Sequence, residues 1–312
     1  MNHPGIEDNI ITIVEAFTEI FENFKKFIYL KSTDHYVIAS LFTLLTYCYH
    51  EMDSVPYLYL YGPPSTGKGE LLLKFKILCF NPIYAVRLTN AATCRALNER
   101  RGTFLLNEAD ILGKRGGSFI LAIFLNGYKK EGEVFICDKK GDGLLRYEVF
   151  SPKVFATTTW VPITALLSRC LIIPMVKPDY KNRPKTFHTA TDGKALEVLT
   201  RKIKRLFEET NLRQQIMEAY LNLEEIREIW GNGDDFIYRK NLNTPSDIVE
   251  TSLDALMDLL SCPHLPVFKV LQDVNLTGSF WNFIKPAMPV TIIGKPVLPG
   301  AGFKDLIPGF RP

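Results

Sequence analysis

Gly62-Pro63-Pro64-Ser65-Thr66-Gly67-Lys68 stands between a short apolar run, Tyr57-Leu-Tyr-Leu-Tyr61, and a helix-like stretch over Glu70–Cys79. The spacing GxxxxGK in that setting suits the holding of phosphate. Glycines let the backbone curl so that successive N–H groups face phosphate oxygens. Lys68 adds a positive charge at the β/γ-phosphates, and the N-terminus of the following helix adds its dipole. Residues Gly62 to Gly69, with Glu70 at the start of the helix, are therefore the candidate nucleotide contacts. The competing reading is a Pro/Gly turn with an incidental lysine, and the strand before and helix after favour the cradle. One position departs from the pattern. The residue after the lysine is ordinarily Ser or Thr, whose hydroxyl binds Mg²⁺; here it is Gly69. Ser65 and Thr66 lie on the loop rather than at the helix start and do not substitute for it.

A second constellation follows in Thr103-Phe-Leu-Leu-Asn107-Glu108-Ala-Asp110, an apolar run ending in polar groups. The usual pair at such a strand end is Asp, which holds Mg²⁺, then Glu, which orients or deprotonates the attacking water. Asn107 offers an amide oxygen to a metal but no charge, and Glu108 is the candidate base. Asp110 can equally cap the next helix, and an ordinary polar strand end is the competing reading of the whole segment. Mg²⁺ prefers anionic oxygen. With Gly69 and Asn107 at both metal-side positions, the residues support nucleotide binding more strongly than hydrolysis.

Elements must position these groups. Apolar residues recur at helical steps over 9–28, and Ser32 and Thr33 can cap a second helix running to Cys48. The period then shortens. Strands are expected at Tyr57–Tyr61, Ile83–Arg87, Thr103–Leu106, Val154–Thr158 and Leu171–Pro174. Helices are expected at Glu70–Cys79, around Ala91–Leu97 and at Phe119–Leu125. Val134–Asp138 and Leu144–Phe150 flank Lys139-Lys-Gly-Asp-Gly143, a hairpin signal. Strands alternating with helices predict an α/β fold, a mainly parallel sheet with helices on both faces. Residues 177–192 read as a polar loop. Helices at 195–207, 211–221, 223–230 and about 245–260 suggest a helical lid, and the last 27 residues, with six prolines and four glycines, an irregular tail. The expected organisation is a helical lead-in (1–50), a core (51–176), a lid (177–262) and a Pro/Gly-rich tail (263–312).

The chain has 312 residues, of which 46% are hydrophobic and 23% charged, with a formal net charge of +3. That is ordinary globular composition, and the mild positive balance permits nucleic acid as a partner without demanding it. The N-terminus lacks the pattern of a secretory signal, and the longest uncharged apolar run, Tyr36–Tyr49, is too short to span a bilayer. A cytoplasmic protein without membrane association is the expectation. The six cysteines form no CxxC and read as reduced thiols that mostly pack in the core.

Taken in order, YLYLYGPPSTGKGELL, RRGTFLLNEADIL, LNGYKKEGEVFICDKK, YEVFSPKVFATTT and LLSRCLIIPM resemble a little-characterised AAA+-like (ASCE) P-loop ATPase family of plasmids, phages and integrated elements. The likeness spans roughly residues 30–230. Its members often stand beside primase or replication-helicase modules, and their cores resemble superfamily III and MCM-like helicases. The resemblance implies ATP with Mg²⁺ as cofactors. It implies a sensor-1 polar residue among Thr157, Thr158 and Thr159, of which Thr158 is the choice. It also implies a catalytic arginine finger at Arg169, reaching ATP held by a neighbouring subunit of a homo-oligomeric ring, and a sensor-2 arginine at Arg227, for which Arg201 and Arg205 compete. The hairpin between the second constellation and sensor 1 implies contact with DNA through Lys139 and Lys140 at its tip, Arg146 on the return strand, and Lys129 and Lys130 just before it. Lysines that merely solvate a turn are the equal alternative.

The leading expectation is an ATP-binding AAA+ ATPase of a mobile genetic element, an oligomeric helicase- or translocase-like factor in DNA replication. A nucleotide-gated assembly protein with weak or no hydrolysis is the alternative, and a degenerate remnant of a larger helicase a third. A small-molecule kinase fits less well.

Overall fold

The computed structural model describes residues 10–86, 89–114, 117–137 and 143–217. Helix α1 spans Ile13–Phe27 and is set by a capping box. The Thr12 hydroxyl accepts from the Glu15 N–H at 3.2 Å, while the Glu15 carboxylate accepts from the Thr12 N–H at 2.8 Å. Such a cap is worth about 1 kcal/mol. It starts the helix three residues beyond Ile10, which the apolar period alone had included. Helix α2 spans Thr33–Leu45 with Ser32 as its cap, as expected, but it ends short of Cys48.

Five strands form one parallel sheet: β1 (Tyr57–Tyr61), β2 (Ile83–Ala85), β3 (Phe104–Leu106), β6 (Lys153–Thr157) and β7 (Cys170–Pro174), in the order β2-β3-β6-β1-β7. Strands β4 (Glu133–Cys137) and β5 (Leu144–Glu148) form the separate antiparallel hairpin. Helices α3 (Lys68–Leu78), α4 (Asn90–Arg100), α5 (Ser118–Asn126), α6 (Thr164–Leu167) and α7 (Lys194–Glu209) complete the described regular elements named here.

The sheet is buried on both faces, and successive side chains alternate between two cores. Leu58 and Leu60 of β1, with Val154 and Ala156 of β6 and Leu171 and Ile173 of β7, join a core shared with α1, α2, α3 and α7. Tyr57, Tyr59, Phe155, Cys170 and Ile172 face the other core, shared with α4, α5 and α6. Near-continuous apolar strands are what a doubly covered parallel sheet requires.

The N-terminal helices share that first core with the sheet. So does α7, where a lid had been expected to begin. Its Leu196, Leu199, Ile203, Leu206 and Phe207 are buried, Phe207 stacks on Tyr47 at 5.5 Å, and the Thr200 hydroxyl donates to Ile77 O at 2.8 Å. The lid helices expected at 223–230 and about 245–260, and the tail, lie outside the described residues. Of the described cysteines, Cys48, Cys79, Cys94 and Cys170 are free and buried, and Cys137 is free and exposed. No described helix is long and apolar enough to cross a membrane.

Candidate nucleotide site

The carboxyl ends of parallel strands are where an open α/β sheet offers a crevice. Tyr61, the last residue of β1, is level with Thr157, the last of β6. Strand β3 lies on the far side of β6, with Leu106 level with Phe155. One edge therefore collects the Gly62–Lys68 loop, the Thr157–Thr159 strand end and the Asn107–Glu108 strand end, with β6 in the middle.

The loop is built as a cradle. Gly67 has φ +89°, the left-handed region that favours glycine, and it is the N-cap of α3. Ser65 also lies there, at φ +60°. Gly62 is required for a different reason, since a Cβ on it would sit 2.1 Å from the carbonyl oxygen of Met175. The first α-helical bond of α3 runs from the Leu71 N–H to Gly67 O, and no side chain caps the helix start. The preceding N–H groups thus point out of the helix end, where an anion binds. The Thr66 hydroxyl is spent within the loop, donating to Pro63 O at 2.9 Å.

Lys68 is buried, and its ammonium donates to Gly62 O at 2.5 Å and Pro63 O at 2.6 Å. Burial lowers its pKa, and Asp110 acts in the opposite direction, raising it. Glu70 is used otherwise than expected. Its carboxylate pairs with Lys74 at 2.8 Å along α3, and only its N–H remains at the helix start. Lys74 itself is fully buried, with its ammonium 3.8 Å from the centre of the Phe187 ring.

Asp110 does not cap the next helix. Its carboxylate accepts from the N–H and hydroxyl of Thr159, at 2.8 and 2.6 Å, and from the N–H and hydroxyl of Thr158, both at 3.0 Å. It clamps the end of β6 to the segment after β3. The Thr158 hydroxyl, chosen as the sensor, is therefore held by Asp110. Thr157 instead turns inward, its hydroxyl 2.8 Å from that of Tyr59. Burial pushes the Asp110 pKa up, but the hydrogen bonds from Thr159 and then Thr158 outweigh it, so the carboxyl titrates below its ordinary value. A depressed carboxyl stabilises the fold fully above its unfolded pKa, about 3.9, and that contribution is lost as pH falls through the lower folded value. Asp110→Asn is expected to remove that part of the acid dependence, so that urea midpoints measured from pH 5 downward fall less steeply than in the parent. Parallel curves would contradict the clamp.

Glu108 is exposed, as a base meeting substrate must be, and its backbone is left-handed at φ +55°. Strain of that kind in a non-glycine residue costs about 1–3 kcal/mol and gathers at functional sites. Asn107 Oδ1 accepts from the Glu108 N–H at 3.1 Å, and its amide donates to the Tyr84 hydroxyl at 3.4 Å.

The residues at this edge fit the phosphates of a nucleotide. They fit Mg²⁺ poorly, because Asn107 Oδ1 and the Asp110 carboxylate already accept hydrogen bonds and Gly69 carries no oxygen on a side chain. Among the described residues no group of three or more His, Cys, Asp or Glu could hold a metal ion. A Cβ on Gly69 would meet nothing within 4 Å. Gly69→Ser is therefore expected to be accommodated and to raise stability by a few tenths of a kcal/mol at most, since serine lies between glycine and alanine in helix propensity and Gly69 is in the first turn of α3. A lowered urea midpoint would show that the space is not open.

Arg169 lies at the opposite edge, just before β7, where its carbonyl accepts from the Tyr57 N–H at 2.7 Å. The length of β1, about 16 Å at 3.3 Å per residue, separates that edge from the cradle. Its guanidinium stacks on Tyr128 at 4.2 Å, and its Nε and Nη1 are buried without a hydrogen-bond partner among the described residues. Lys129 and Lys130 are exposed at the same edge, where their backbones join Ser54 and Asp53. Arg146 is ion-paired across the hairpin with Glu133, which weakens its case as a free phosphate contact. Lys139, Lys140 and Arg227 lie outside the described residues.

Two groups were not singled out from sequence: the Asp110 clamp and Lys153. The ammonium of Lys153 is fully buried and donates to Gly127 O, Val149 O and Ser151 O at 3.0, 2.9 and 3.1 Å. It ties the root of the hairpin to the start of β6. A lone lysine at the head of an apolar strand was the only available signal.

No family model matches this chain, and no curated protein does. Among solved structures it is similar to a full-length MCM homolog from Methanopyrus kandleri, at 14% identity and a TM-score of 0.44, covering 85% of this chain and 58% of that one. It is similar to the NrS-1 C-terminal region at 14% identity and a TM-score of 0.38, covering 80% and 66%. It is also similar to JCV helicase, at 13% identity and a TM-score of 0.36, covering 94% and 69%. The chain thus spans little more than half the length of the MCM homolog, and similarities of this size leave the function to be argued from the site's own geometry.

Proposed function

We propose that this chain binds ATP at the Gly62–Glu70 cradle and works as an oligomeric, helicase- or translocase-like ATPase on DNA in the replication of a mobile element. The observation that carries the nucleotide reading is the strand order β2-β3-β6-β1-β7, which sets a left-handed Gly67 at the head of α3 beside the strand ends bearing Thr158 and Glu108. The helix N-terminus and Lys68 bind the phosphates, Glu108 positions and deprotonates water, and the Asp110 clamp fixes Thr158 beside it. Arg169 is remote from its own cradle and would serve the ATP of a neighbouring copy, a role that requires its guanidinium to leave the Tyr128 ring and become exposed. Of the cations expected to meet DNA, Lys129 and Lys130 are exposed, and a primase or replication module is the expected partner.

Gly69, Asn107 and the occupied Asp110 carboxylate favour a second reading, in which ATP holds an assembly together with little turnover. The two separate in a hydrolysis assay with Mg²⁺, with and without single-stranded DNA. The motor reading expects DNA-stimulated turnover that falls about 100-fold or more in Glu108→Gln, the usual weight of a general base, with ATP still bound. Turnover equal in parent and variant would remove Glu108 from its role, and ATP binding without turnover would favour the assembly protein.

A further inference from the structure

Strands β4 and β5 pair only with each other, apart from the main sheet. Along an antiparallel ladder, opposed residues alternate between pairs that exchange hydrogen bonds and pairs whose backbone groups point away from the partner strand. The Val149 N–H to Gly132 O bond, 2.9 Å, fixes that phase. Val134, Ile136, Leu145 and Tyr147 therefore bond within the hairpin. Glu133, Phe135 and Cys137 on β4, with Leu144, Arg146 and Glu148 on β5, turn their N–H and C=O groups outward. The Glu148 N–H follows this phase, leaving the ladder to donate to Asn98 Oδ1 of α4 at 3.0 Å. Among the described residues nothing bonds the outward groups of Glu133 and Phe135, or of Leu144 and Arg146.

These outward residues also share one face, on which Phe135 is 55% and Leu144 69% exposed. On the other face Val134 is buried, and Ile136 and Tyr147 pack against the second core. Open edges that carry large apolar side chains are templates for another strand.

The residues on the two edges say which strand. Outward groups can pair only with outward groups, so β4 of one copy meets β5 of another in few registers. The hairpin's own register, Phe135 opposite Arg146, would set Glu133 against Glu148 and would need the N–H that Asn98 already holds. The next permitted register sets Glu133 opposite Arg146 and Phe135 opposite Leu144, acid on base and apolar on apolar. Pairs of that kind stabilise a sheet, and like charges opposed destabilise it. Arg146 already reaches Glu133 diagonally within its own hairpin. In the new register each Glu133 lies between its own arginine and a neighbour's. Pairing β4 with β4 of a second copy, Phe135 on Phe135, gains no ion pair.

We infer that the β4 edge of one copy pairs antiparallel with the β5 edge of a second copy in this register. The contact is head to tail, so it repeats from chain to chain and closes into a ring where the rotation allows. It stands on the hairpin alone and does not depend on the ATP reading.

The test cross-links full chains carrying Cys137→Ser and Cys262→Ser, since Cys48, Cys79, Cys94 and Cys170 are buried. One chain also carries Phe135→Cys and another Leu144→Cys, and a short bismaleimide is added to each alone and to their mixture. Linked dimer is expected in the mixture and not from either chain alone. No product would overturn the contact, and product from the Phe135→Cys chain alone would replace it by a two-fold β4 pairing. Arg146→Glu placed on the Leu144→Cys chain opposes the neighbour's Glu133 with a like charge, and is expected to lower the yield about tenfold or more. The same change on the Phe135→Cys chain leaves the linked contact intact and should cost little. Equal loss from both placements would report a damaged hairpin rather than an interface, and no loss from either would overturn the register.

Discussion

Lys68→Ala is expected to weaken ATP binding by roughly two orders of magnitude. The ammonium is buried against the loop carbonyls of Gly62 and Pro63 and stands at the head of α3. A charge-assisted hydrogen bond is worth about 1.5–3 kcal/mol, and Lys68 has more than one donor to offer phosphate oxygens. A loss of stability of about 1–3 kcal/mol should accompany it, because the buried Gly62 carbonyl loses its donor, whereas Pro63 is exposed. Titration of parent and variant with ATP, beside urea unfolding of each, separates the two quantities. Equal affinities would mean that the ammonium never leaves its carbonyls and that phosphate is held, if at all, by the backbone alone.

Lys153→Met is expected to lower stability by about 2–4 kcal/mol with little direct effect on the nucleotide edge. Methionine replaces the volume but strands the carbonyls of Gly127, Val149 and Ser151 without the donor they share. Relief of the buried charge, whose pKa burial depresses strongly, offsets part of the loss. The consequence should reach the hairpin. The Ser151 N–H to Gly127 O and Val149 N–H to Gly132 O bonds sit beside the ammonium, so their amides should exchange faster than those of β1. A shift in the urea midpoint with unchanged slope, together with that local loss of protection, is the expected outcome. An unchanged midpoint would show that the carbonyls are readily hydrated and that Lys153 is not a tether.

The parts of the molecule that were legible in the sequence are those governed by local rules. Tyr57–Tyr61 and the Gly/Pro-rich loop after it announce a strand and a turn within a dozen residues, and the β4–β5 hairpin follows from alternation around a Gly-rich tip. Where a local rule was overlooked, the boundary moved: the Thr12–Glu15 box, not the apolar period, starts α1. Glu70 and Lys74 stand four apart on a helix, and that spacing could have revealed their pairing. The Asp110 clamp was not readable, because its partners Thr158 and Thr159 lie 48 and 49 residues away and a short Asp has several plausible uses near a helix start. Lys153 was hidden for the same reason, since its acceptors come from segments brought together by the sheet and hairpin. The amphipathic face of α7 could be read, but not what it covers, and it proved to pack on α1 and α3 in the first core.

The most direct measurement is an ATP titration of the unaltered chain by calorimetry, with Mg²⁺ and with a chelator in its place. One equivalent of ATP per chain is predicted, with affinity only modestly dependent on Mg²⁺, because Gly69, Asn107 and the engaged Asp110 offer the metal little. Absence of binding at millimolar ATP under both conditions would contradict the cradle at Gly62–Lys68 and with it the proposed function.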